Sequence, residues 1–149
     1  MCGIAGLTFR PGLRRTRIGS EHPYARVPES PASDVPVPMP LTRMLTALRH
    51  RGPDTEGVYV QDRAGIAFGM RRLAIMDPEH GHQPIFGDRD DVALVLNGEI
   101  YNAPELARGL RARGHRFASG SDAEVVVHLY EERGLDAFRS LSGMYAAAL

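Results

Sequence analysis

Cys2 is the strongest candidate for a reactive residue in this sequence, because it is the single cysteine of the chain and directly follows Met1. Removal of Met1, which a small second residue permits, would leave Cys2 with a free α-amine beside its own thiol. Such an amine has a pKa of about 8 and is partly an unprotonated base near neutrality. One residue would then carry both a nucleophile and its general base. The alternative is a buried structural cysteine at the start of a strand.

A second candidate is the segment NGEIYN at 97–102, which follows an apolar run. The side-chain amide of Asn97 and the backbone N–H of Gly98 could donate to one developing oxyanion, a contribution typical of acyl transfer. Glycine suits position 98 if the backbone there must approach a ligand closely. The alternative for Asn-Gly is a tight hairpin turn. Too few residues separate it from the next predicted helix for that turn to fit well.

Three charged residues could bind an amino-acid ligand. Arg71 and Arg72 should point to opposite faces of a strand, one to solvent and one inward. An inward Arg72 needs an anion, which could be a substrate carboxylate or the partner of a structural salt bridge. Asp122 could bind a substrate ammonium group or cap a helix, and Glu99 could share the ammonium.

Other chemistries find no support in the sequence. His80 and His82 flank a glycine in a loop, and no histidine, cysteine or acidic cluster shows a metal-ligand spacing, so we expect no metal site. All 18 basic residues are arginines, which excludes Schiff-base lysines and a P-loop lysine within this chain. We therefore expect no cofactor in this segment.

Composition limits the partners and the compartment. The net charge is zero, which argues against nucleic-acid binding. No apolar run is long enough for a membrane span, and the N-terminus lacks the pattern of a signal peptide. A single cysteine cannot form an internal disulfide, so a cytoplasmic protein is expected.

Hydrophobic periodicity and turn residues predict strands mixed with helices. The predicted strands cover 2–9, 57–62, 65–77, 91–102 (interrupted at Asn97-Gly98) and 144–149. The predicted helices cover 41–50, 103–114 and 121–134, the last capped by Ser121 or Asp122 and ended by Gly134. Residues 10–40 hold 7 of the 11 prolines and are predicted to be a mobile surface loop without helix or ladder. The chain stops inside its last strand, which suggests a fragment.

Seven segments occur in an order that resembles one known family. They are MCGIAG at the start, RHRGPD at 49–54, RRLAIMD at 71–77, HQPI at 82–85, LNGEIYN at 96–102, SGSDAEV at 119–125 and LSGMYAAAL at 141–149. Together they resemble the N-terminal class II glutamine amidotransferase domain of the glutamine-hydrolysing asparagine synthases. The resemblance covers residues 1–149 apart from the 10–40 loop, with the domain incomplete at its C-terminus and the synthetase domain absent.

The resemblance implies an α+β fold of the N-terminal-nucleophile hydrolase type, a four-layer αββα sandwich. It also implies the site residues. Cys2 would attack the carboxamide of L-glutamine, and Asn97 and Gly98 would form the oxyanion hole. Arg72 would bind the α-carboxylate of glutamine, with Asp122 and Glu99 on its α-amine.

In the family, the released ammonia reaches a C-terminal synthetase domain that uses ATP and Mg²⁺ to convert aspartate to asparagine. A homodimer is a further assembly that the resemblance allows. Two alternatives stay open from the sequence. The acceptor could be a carboxylate other than aspartate, or the chain could be a truncated, non-catalytic remnant that binds glutamine.

Overall fold

The computed structural model describes residues 2–10, 12, 15–18, 25–26, 35–89 and 91–149. The strands in this part of the chain are β1 (Gly3–Thr8), β2 (Arg15–Ile18), β3 (Ala25–Arg26), β4 (Val35–Pro38), β5 (Thr55–Gln61), β6 (Ile66–Arg72), β7 (Ile85–Phe86), β8 (Ala93–Ile100) and β9 (Gly143–Ala148). The helices are α1 (Met39–Ala47), α2 (Ala103–Ala112), α3 (Glu124–Arg133) and a 3₁₀ helix (Gly134–Ser140).

The first sheet has the strand order β1-β6-β5-β3. A turn at 62–65 joins β5 to β6, and β1 runs antiparallel to β6 with Gly3 opposite Arg71. The second sheet has the order β7-β8-β9 and is antiparallel throughout. The predicted interruption of β8 at Asn97-Gly98 was wrong, because these residues pair with Ala146 and Tyr145 of β9.

Three apolar clusters define the layers of the fold. Leu41 and Leu45 of α1 pack with Val58 and Val60 on one face of the first sheet. Successive residues of a strand point to opposite faces, so Tyr59, Phe68 and Met70 face the other way and meet Val95 of the second sheet. The far face of the second sheet is covered by α2 and α3 through the largest cluster, which includes Leu94, Leu96, Leu110 and Leu129. The order is therefore helix, sheet, sheet, helices, which confirms the predicted αββα sandwich.

The predicted proline-rich loop at 10–40 needs correction. Its residues 15–18 and 35–38 form a two-stranded antiparallel ladder, and α1 begins at Met39. Proline is tolerated there because strands at a sheet edge need not donate every N–H to a neighbour. The prediction that proline density prevents a ladder was therefore wrong for these residues. Most other residues of the segment, including much of 19–34, lie outside the described residues.

The start of α3 also differs from the prediction. The helix begins at Glu124, its N-cap position is Ala123, and no side chain caps it. The carboxylate of Asp122 instead accepts a hydrogen bond from the backbone N–H of Ile100 at 2.6 Å. The predicted end is confirmed, since Gly134 follows the helix with φ of +57°. None of the helices in the described residues has the length and apolar character needed to cross a bilayer.

Candidate active site

A cavity of about 580 Å³ opens where the N-terminal strand, the end of β6 and strands β8 and β9 meet. A volume of this size is typical of small-molecule sites. All six residues singled out in the sequence line it, namely Cys2, Arg72, Asn97, Gly98, Glu99 and Asp122. Residues that are as many as 120 positions apart in the chain therefore share one surface, although their chemical roles stay predictions.

Strand pairing places Cys2 in the cavity. Because Gly3 is opposite Arg71 in the β1–β6 ladder, Cys2 lies beside Arg72 and Leu73 at the end of that ladder. The backbone N–H of Leu73 donates to the sulfur at 3.3 Å, and the thiol lies 3.7 Å from the Leu73 carbonyl oxygen. The side chain is half-buried, so the sulfur is held in place and still open to the cavity. Met1 lies outside the described residues.

Arg72 ends β6 and is almost fully buried. Its guanidinium donates to the carbonyl oxygens of Met76, Asp77 and Pro78 at 2.7, 2.9 and 3.2 Å. In the described part of the chain these neutral carbonyls, and no carboxylate, are its hydrogen-bond partners. The positive charge is therefore oriented without being neutralised, which leaves it able to attract an anion.

Arg71 does not face solvent as expected. Its side chain is 11% exposed and pairs with Glu56, which lies directly opposite on β5, at 2.7 Å. The predicted opposition of the two arginines across the strand holds, but Arg71 is half-buried, because a cross-strand carboxylate is available to it.

The RGPD segment at 51–54 supports the region around Arg72. A Cβ atom on Gly52 would lie 2.3 Å from the backbone carbon of Arg71, so only glycine allows this close approach. The carboxylate of Asp54 accepts from the backbone N–H of Ala74 at 2.8 Å. This segment therefore fixes the start of the loop that follows β6. The sequence analysis missed this role and used the segment only as part of a family motif.

Asp77 connects that loop to the segment before α3. It has a positive φ of 42°, and its carboxylate accepts from the backbone N–H groups of His80 at 3.2 Å and Gly120 at 2.7 Å. The hydrogen bond from Gly120, first of all, holds the pKa of Asp77 below its ordinary value. Asp77 thus ties together two stretches that line the cavity, through Met76 on one side and Ser121 on the other. Its sequence signal was weak, since only its place in RRLAIMD drew attention to it.

The free edge of β8 faces side chains instead of another strand. The side chain of Gln83 accepts from the N–H of Leu96 at 2.7 Å and donates to its carbonyl at 3.1 Å. Two residues beyond Gly98, Asp122 accepts from Ile100. Along an antiparallel strand, the N–H groups of successive residues point to opposite edges. The N–H of Tyr101 points to β9, where it bonds to Ser142, so the N–H groups of Leu96, Gly98 and Ile100 point to the other, free edge of β8. Gln83, which sequence reasoning missed, therefore helps to shape this edge.

The glycine at 98 has a reason that the sequence did not reveal. Its φ is +147°, and a Cβ atom there would lie 2.1 Å from the carbonyl oxygen of Met144 on β9. The close approach of β9 therefore requires glycine at position 98, whether or not a ligand also approaches it. Asn97 precedes it and, like Val95, lies on the face of β8 that looks toward the first sheet and Cys2.

The two acidic candidates differ in how they are held. Asp122 is half-buried and is anchored by one carboxylate oxygen to β8, which leaves the other oxygen for a ligand. Glu99 is exposed at the cavity wall. Both are placed where they could meet a positive group of a ligand that reaches from Cys2 toward Arg72.

The histidines divide into two groups. His80 is exposed and pairs with Asp77, so it acts within the loop. Outside the cavity lining, Asp88, His115, His128 and Glu131 bring one ligand atom each to within 4.8 Å of one another. We name this set the outer cluster. Only His128 and Glu131 are close in the sequence, and Asp88 and His115 lie 40 and 13 positions before His128, so the sequence argument from ligand spacing did not reveal the outer cluster.

Comparison with known proteins places the chain in a family. The family model described as "Glutamine amidotransferase domain" matches residues 28–149. An asparagine synthetase (glutamine-hydrolyzing) of Brassica oleracea is 44% identical over 102 residues, covering 68% of this chain and 17% of that protein. Asparagine synthetase (glutamine-hydrolyzing) 2 of Bacillus subtilis (strain 168) is 40% identical over 109 residues, covering 73% of this chain and 14% of that protein.

A solved structure described as the allosteric regulatory enzyme of purine biosynthesis is 28% identical, with a TM-score of 0.46 over 56% of this chain and 21% of that one. The chain spans less than a fifth of the length of the two asparagine synthetases it was compared with. The family match covers most of the chain, and we conclude that the chain belongs to the glutamine amidotransferase domain family.

Proposed function

We propose that this chain hydrolyses L-glutamine to glutamate and ammonia, with Cys2 as the nucleophile, as the glutaminase part of a glutamine-hydrolysing asparagine synthetase. The observation that carries the proposal is the shared cavity of Cys2, Arg72, Asn97, Gly98, Glu99 and Asp122. A thiol, two oxyanion donors, a cation and two carboxylates are the groups that an amide hydrolase acting on a free amino acid requires. The asparagine synthetases at 40–44% identity support the same reaction.

The first step forms a thioester. After removal of Met1, the free amine of Cys2 takes the thiol proton while the sulfur adds to the carboxamide carbon of glutamine. The carbonyl electrons move onto oxygen, and the tetrahedral intermediate then expels the nitrogen, which leaves as ammonia after taking a proton back. Water attacks the resulting γ-glutamyl thioester in the second step, which releases glutamate and restores the thiol.

The oxyanion of both steps needs donors that are already in place. Gly98 offers an N–H on the free edge of β8, and Asn97 offers a side-chain amide on the neighbouring face. Donors that need no rearrangement stabilise the charge as it forms, and each is worth about 3–4 kcal/mol in acyl transfer. The anchoring of Leu96 by Gln83 and of Ile100 by Asp122 supports this arrangement, since it restrains the strand on both sides.

The two charged α substituents of the amino acid would hold glutamine in the cavity. The Arg72 guanidinium would bind the α-carboxylate, because its neighbours in the loop are neutral carbonyls that orient its charge without cancelling it. Asp122 and Glu99, which line the same cavity, would bind the α-ammonium group. With both α substituents held, the carboxamide at the far end of the side chain would be directed toward the sulfur.

The remainder of the proposal concerns the whole protein. The ammonia would pass to an ATP- and Mg²⁺-dependent synthetase domain, which would amidate aspartate to asparagine in the cytoplasm. The similarity to asparagine synthetases supports this acceptor. A homodimer is a further prediction from the family resemblance.

Glutamate release by the full-length protein tests the proposal. Cys2→Ala should reduce glutamine hydrolysis to the background rate and abolish labelling by a thiol-reactive glutamine analogue, while glutamine binding measured by calorimetry persists. A form that retains Met1, identified by its mass, should also be inactive because Cys2 then has no free amine. Full activity in Cys2→Ala would refute the proposal, and glutamine binding without turnover in the unaltered protein would favour a non-catalytic binding domain.

A further inference from the structure

The outer cluster assembles from three elements on the helical side of the second sheet. His128 and Glu131 are one turn apart on α3 and share a face. His115 follows the end of α2, where its backbone N–H donates to the carbonyl of Leu110 at 3.2 Å. Asp88 follows β7. The cluster therefore joins parts of the chain that only the packing of helices on the sheet brings together.

Four atoms of these residues converge on one point. The Nδ1 atom of His115 is 2.8 Å from Oδ2 of Asp88 and 3.9 Å from Oε2 of Glu131. The Nδ1 atom of His128 is 3.6 Å from the same Asp88 oxygen and 3.4 Å from the same Glu131 oxygen. Neighbouring ligands of a tetrahedral zinc ion, with metal bonds of about 2.0–2.1 Å, lie about 3.3 Å apart. The four distances bracket that value.

The outward-facing atoms of the ligands meet groups that would orient them. The Nε2 atom of His115 is 3.2 Å from Oε1 of Glu132. The Nε2 atom of His128 is buried without a hydrogen bond, 3.7 Å from Oε1 of Glu124. Metal-binding histidines commonly turn their second nitrogen toward a carboxylate in this way.

Glu131 is oriented on its far side as well. Its Oε1 atom accepts from the backbone N–H of Arg89 at 3.3 Å, which leaves Oε2 for the cluster. Gly87 makes room for this carboxylate, because a Cβ atom there would lie 2.3 Å from Glu131 Oε1. One carboxylate oxygen is thus held by the backbone and the other is presented beside both histidines.

The charge of the region favours a cation. Asp88, Glu124, Glu131 and Glu132 supply four carboxylates. In the described part of the chain the arginine side chains that pair with this group, Arg113 and Arg133, both contact Glu132. The cluster itself therefore has two carboxylates whose nearby positive charge must come from protonated histidines or from a metal ion.

We propose that the outer cluster binds one zinc ion through Nδ1 of His115, Nδ1 of His128, Oδ2 of Asp88 and Oε2 of Glu131. The two imidazoles bind as free bases with their protons on Nε2, facing Glu132 and Glu124. Four protein ligands close the coordination sphere, which is the pattern of structural and not catalytic zinc. The Asp88 side chain is 39% exposed whereas those of Glu131 and His128 are 4% and 2% exposed, so the ion enters from the Asp88 side.

The site would also support the rim of the cavity. Glu124, beside His128, accepts from the backbone N–H groups of Ala118 at 2.6 Å and Ser119 at 2.9 Å and from the Ser119 hydroxyl. Ser119 directly precedes Gly120, the partner of Asp77, and Ser121, which lines the cavity. Zinc would therefore fix the end of α3 that carries these contacts.

Metal binding by the full-length protein tests the site. The parent should be an untagged Cys2→Ala protein, because the single cysteine of the chain is itself a strong zinc ligand. After chelator treatment, we expect calorimetry and elemental analysis to show one more zinc per chain in the parent than in His115→Gln or Asp88→Asn. His50→Gln, a histidine exposed after α1, should bind as much as the parent.

Two further readouts make the result decisive. Cobalt in place of zinc should give the visible absorption of a tetrahedral ion in the parent and lose that band in His115→Gln. Zinc should raise the melting temperature of the parent more than that of either variant. If His115→Gln does not fold, Asp88→Asn decides, because it alters an exposed side chain. Equal zinc binding by the parent and the folded variants, or none by the parent, would show a metal-free hydrogen-bonded cluster and overturn the proposal.

Discussion

The cavity opens at the free edge of β8 and the outer cluster lies on the helical side of the second sheet, and the two hold their polar groups in different ways. Around the cavity, the half-buried Cys2 and the exposed Glu99 face open space, and hydrogen bonds to neighbouring backbone groups hold side chains such as Cys2 and Asp122 in place. In the outer cluster, the side chains face one another at 2.8–3.9 Å and have carboxylates or backbone groups behind them. The difference shows that the polar groups around the cavity stay available to a ligand, whereas those of the outer cluster mostly contact one another.

The largest expected effect is a loss of activity in Asn97→Ala, which tests whether the polar groups of the cavity act on a substrate. Loss of the amide removes an oxyanion donor, so kcat for glutamine hydrolysis should fall about 10²–10³-fold with little change in KM. Steady-state glutamate release measures both constants. The matched control is Asn102→Ala, whose side chain bonds to Ser140 and Ser142. It should lower the melting temperature but leave kcat of the folded protein intact, and equal kcat losses in both variants would remove Asn97 from the chemistry.

A smaller effect, on stability, is expected from Gly98→Ala. The added methyl group would meet the Met144 carbonyl, and alanine would have to adopt a φ of +147°. The free energy of unfolding should fall by about 2–4 kcal/mol, measured by urea denaturation. Gly114→Ala separates the two causes, since Gly114 has a φ of +102° with no atom within 4 Å of the added carbon. If Gly98→Ala lowers the free energy of unfolding no more than Gly114→Ala does, then β9 does not approach residue 98 as closely as described.

The smallest effect concerns the pH dependence of the tie between Asp77 and Gly120. The folded-state pKa of Asp77 is lowered, so ionised Asp77 stabilises the fold above its unfolded-state pKa of about 3.9, and this stabilisation disappears as the pH falls through the lower folded-state pKa. Melting temperatures of the wild type and Asp77→Asn should therefore differ near neutral pH and converge in acid.

Asp136→Asn provides the control, because Asp136 pairs only with Arg139 on an exposed surface among the described residues. Its melting temperature should follow that of the wild type through the pH range. A difference between Asp77→Asn and the wild type that persists unchanged in acid would show that the carboxylate charge does not hold the cavity rim.

Local patterns were sufficient for most elements of the fold. The periodic helices α2 and α3 and strands β1, β5 and β8 were predicted close to their observed bounds, since each pattern reflects a face that must be buried. The strand predicted over 65–77 was too long, because β6 ends at Arg72 and a loop follows it. The predictions were wrong where a residue distant in the sequence determines the local structure. Prolines near residue 37 joined a ladder because β2 offered an edge. Asp122 bonded to β8 instead of capping α3, and Arg71 pairs with Glu56, which lies opposite it, instead of facing solvent.

The candidate site divides in the same way. Cys2, Arg72, Asn97, Gly98, Glu99 and Asp122 were found from residue type and motif order because reactive groups and the segments around them are recognisable in a linear chain. The supporting residues Asp54, Asp77 and Gln83 were missed as structural partners. Their function is to bond to backbone groups of other elements, and such bonds leave little signal in the residues on either side.

The sequence by itself therefore singled out Cys2 as the candidate nucleophile and the charged residues of the candidate site, and it determined the alternation of strands and helices and the family. Only the tertiary structure decided that Cys2 lies against Leu73, that β9 is the reason for glycine at 98, and that Asp88, His115, His128 and Glu131 meet. The physical reason is the range of the interactions. Periodicity and reactivity belong to neighbouring residues, whereas a close approach or a ligand set exists only after sheets and helices have packed.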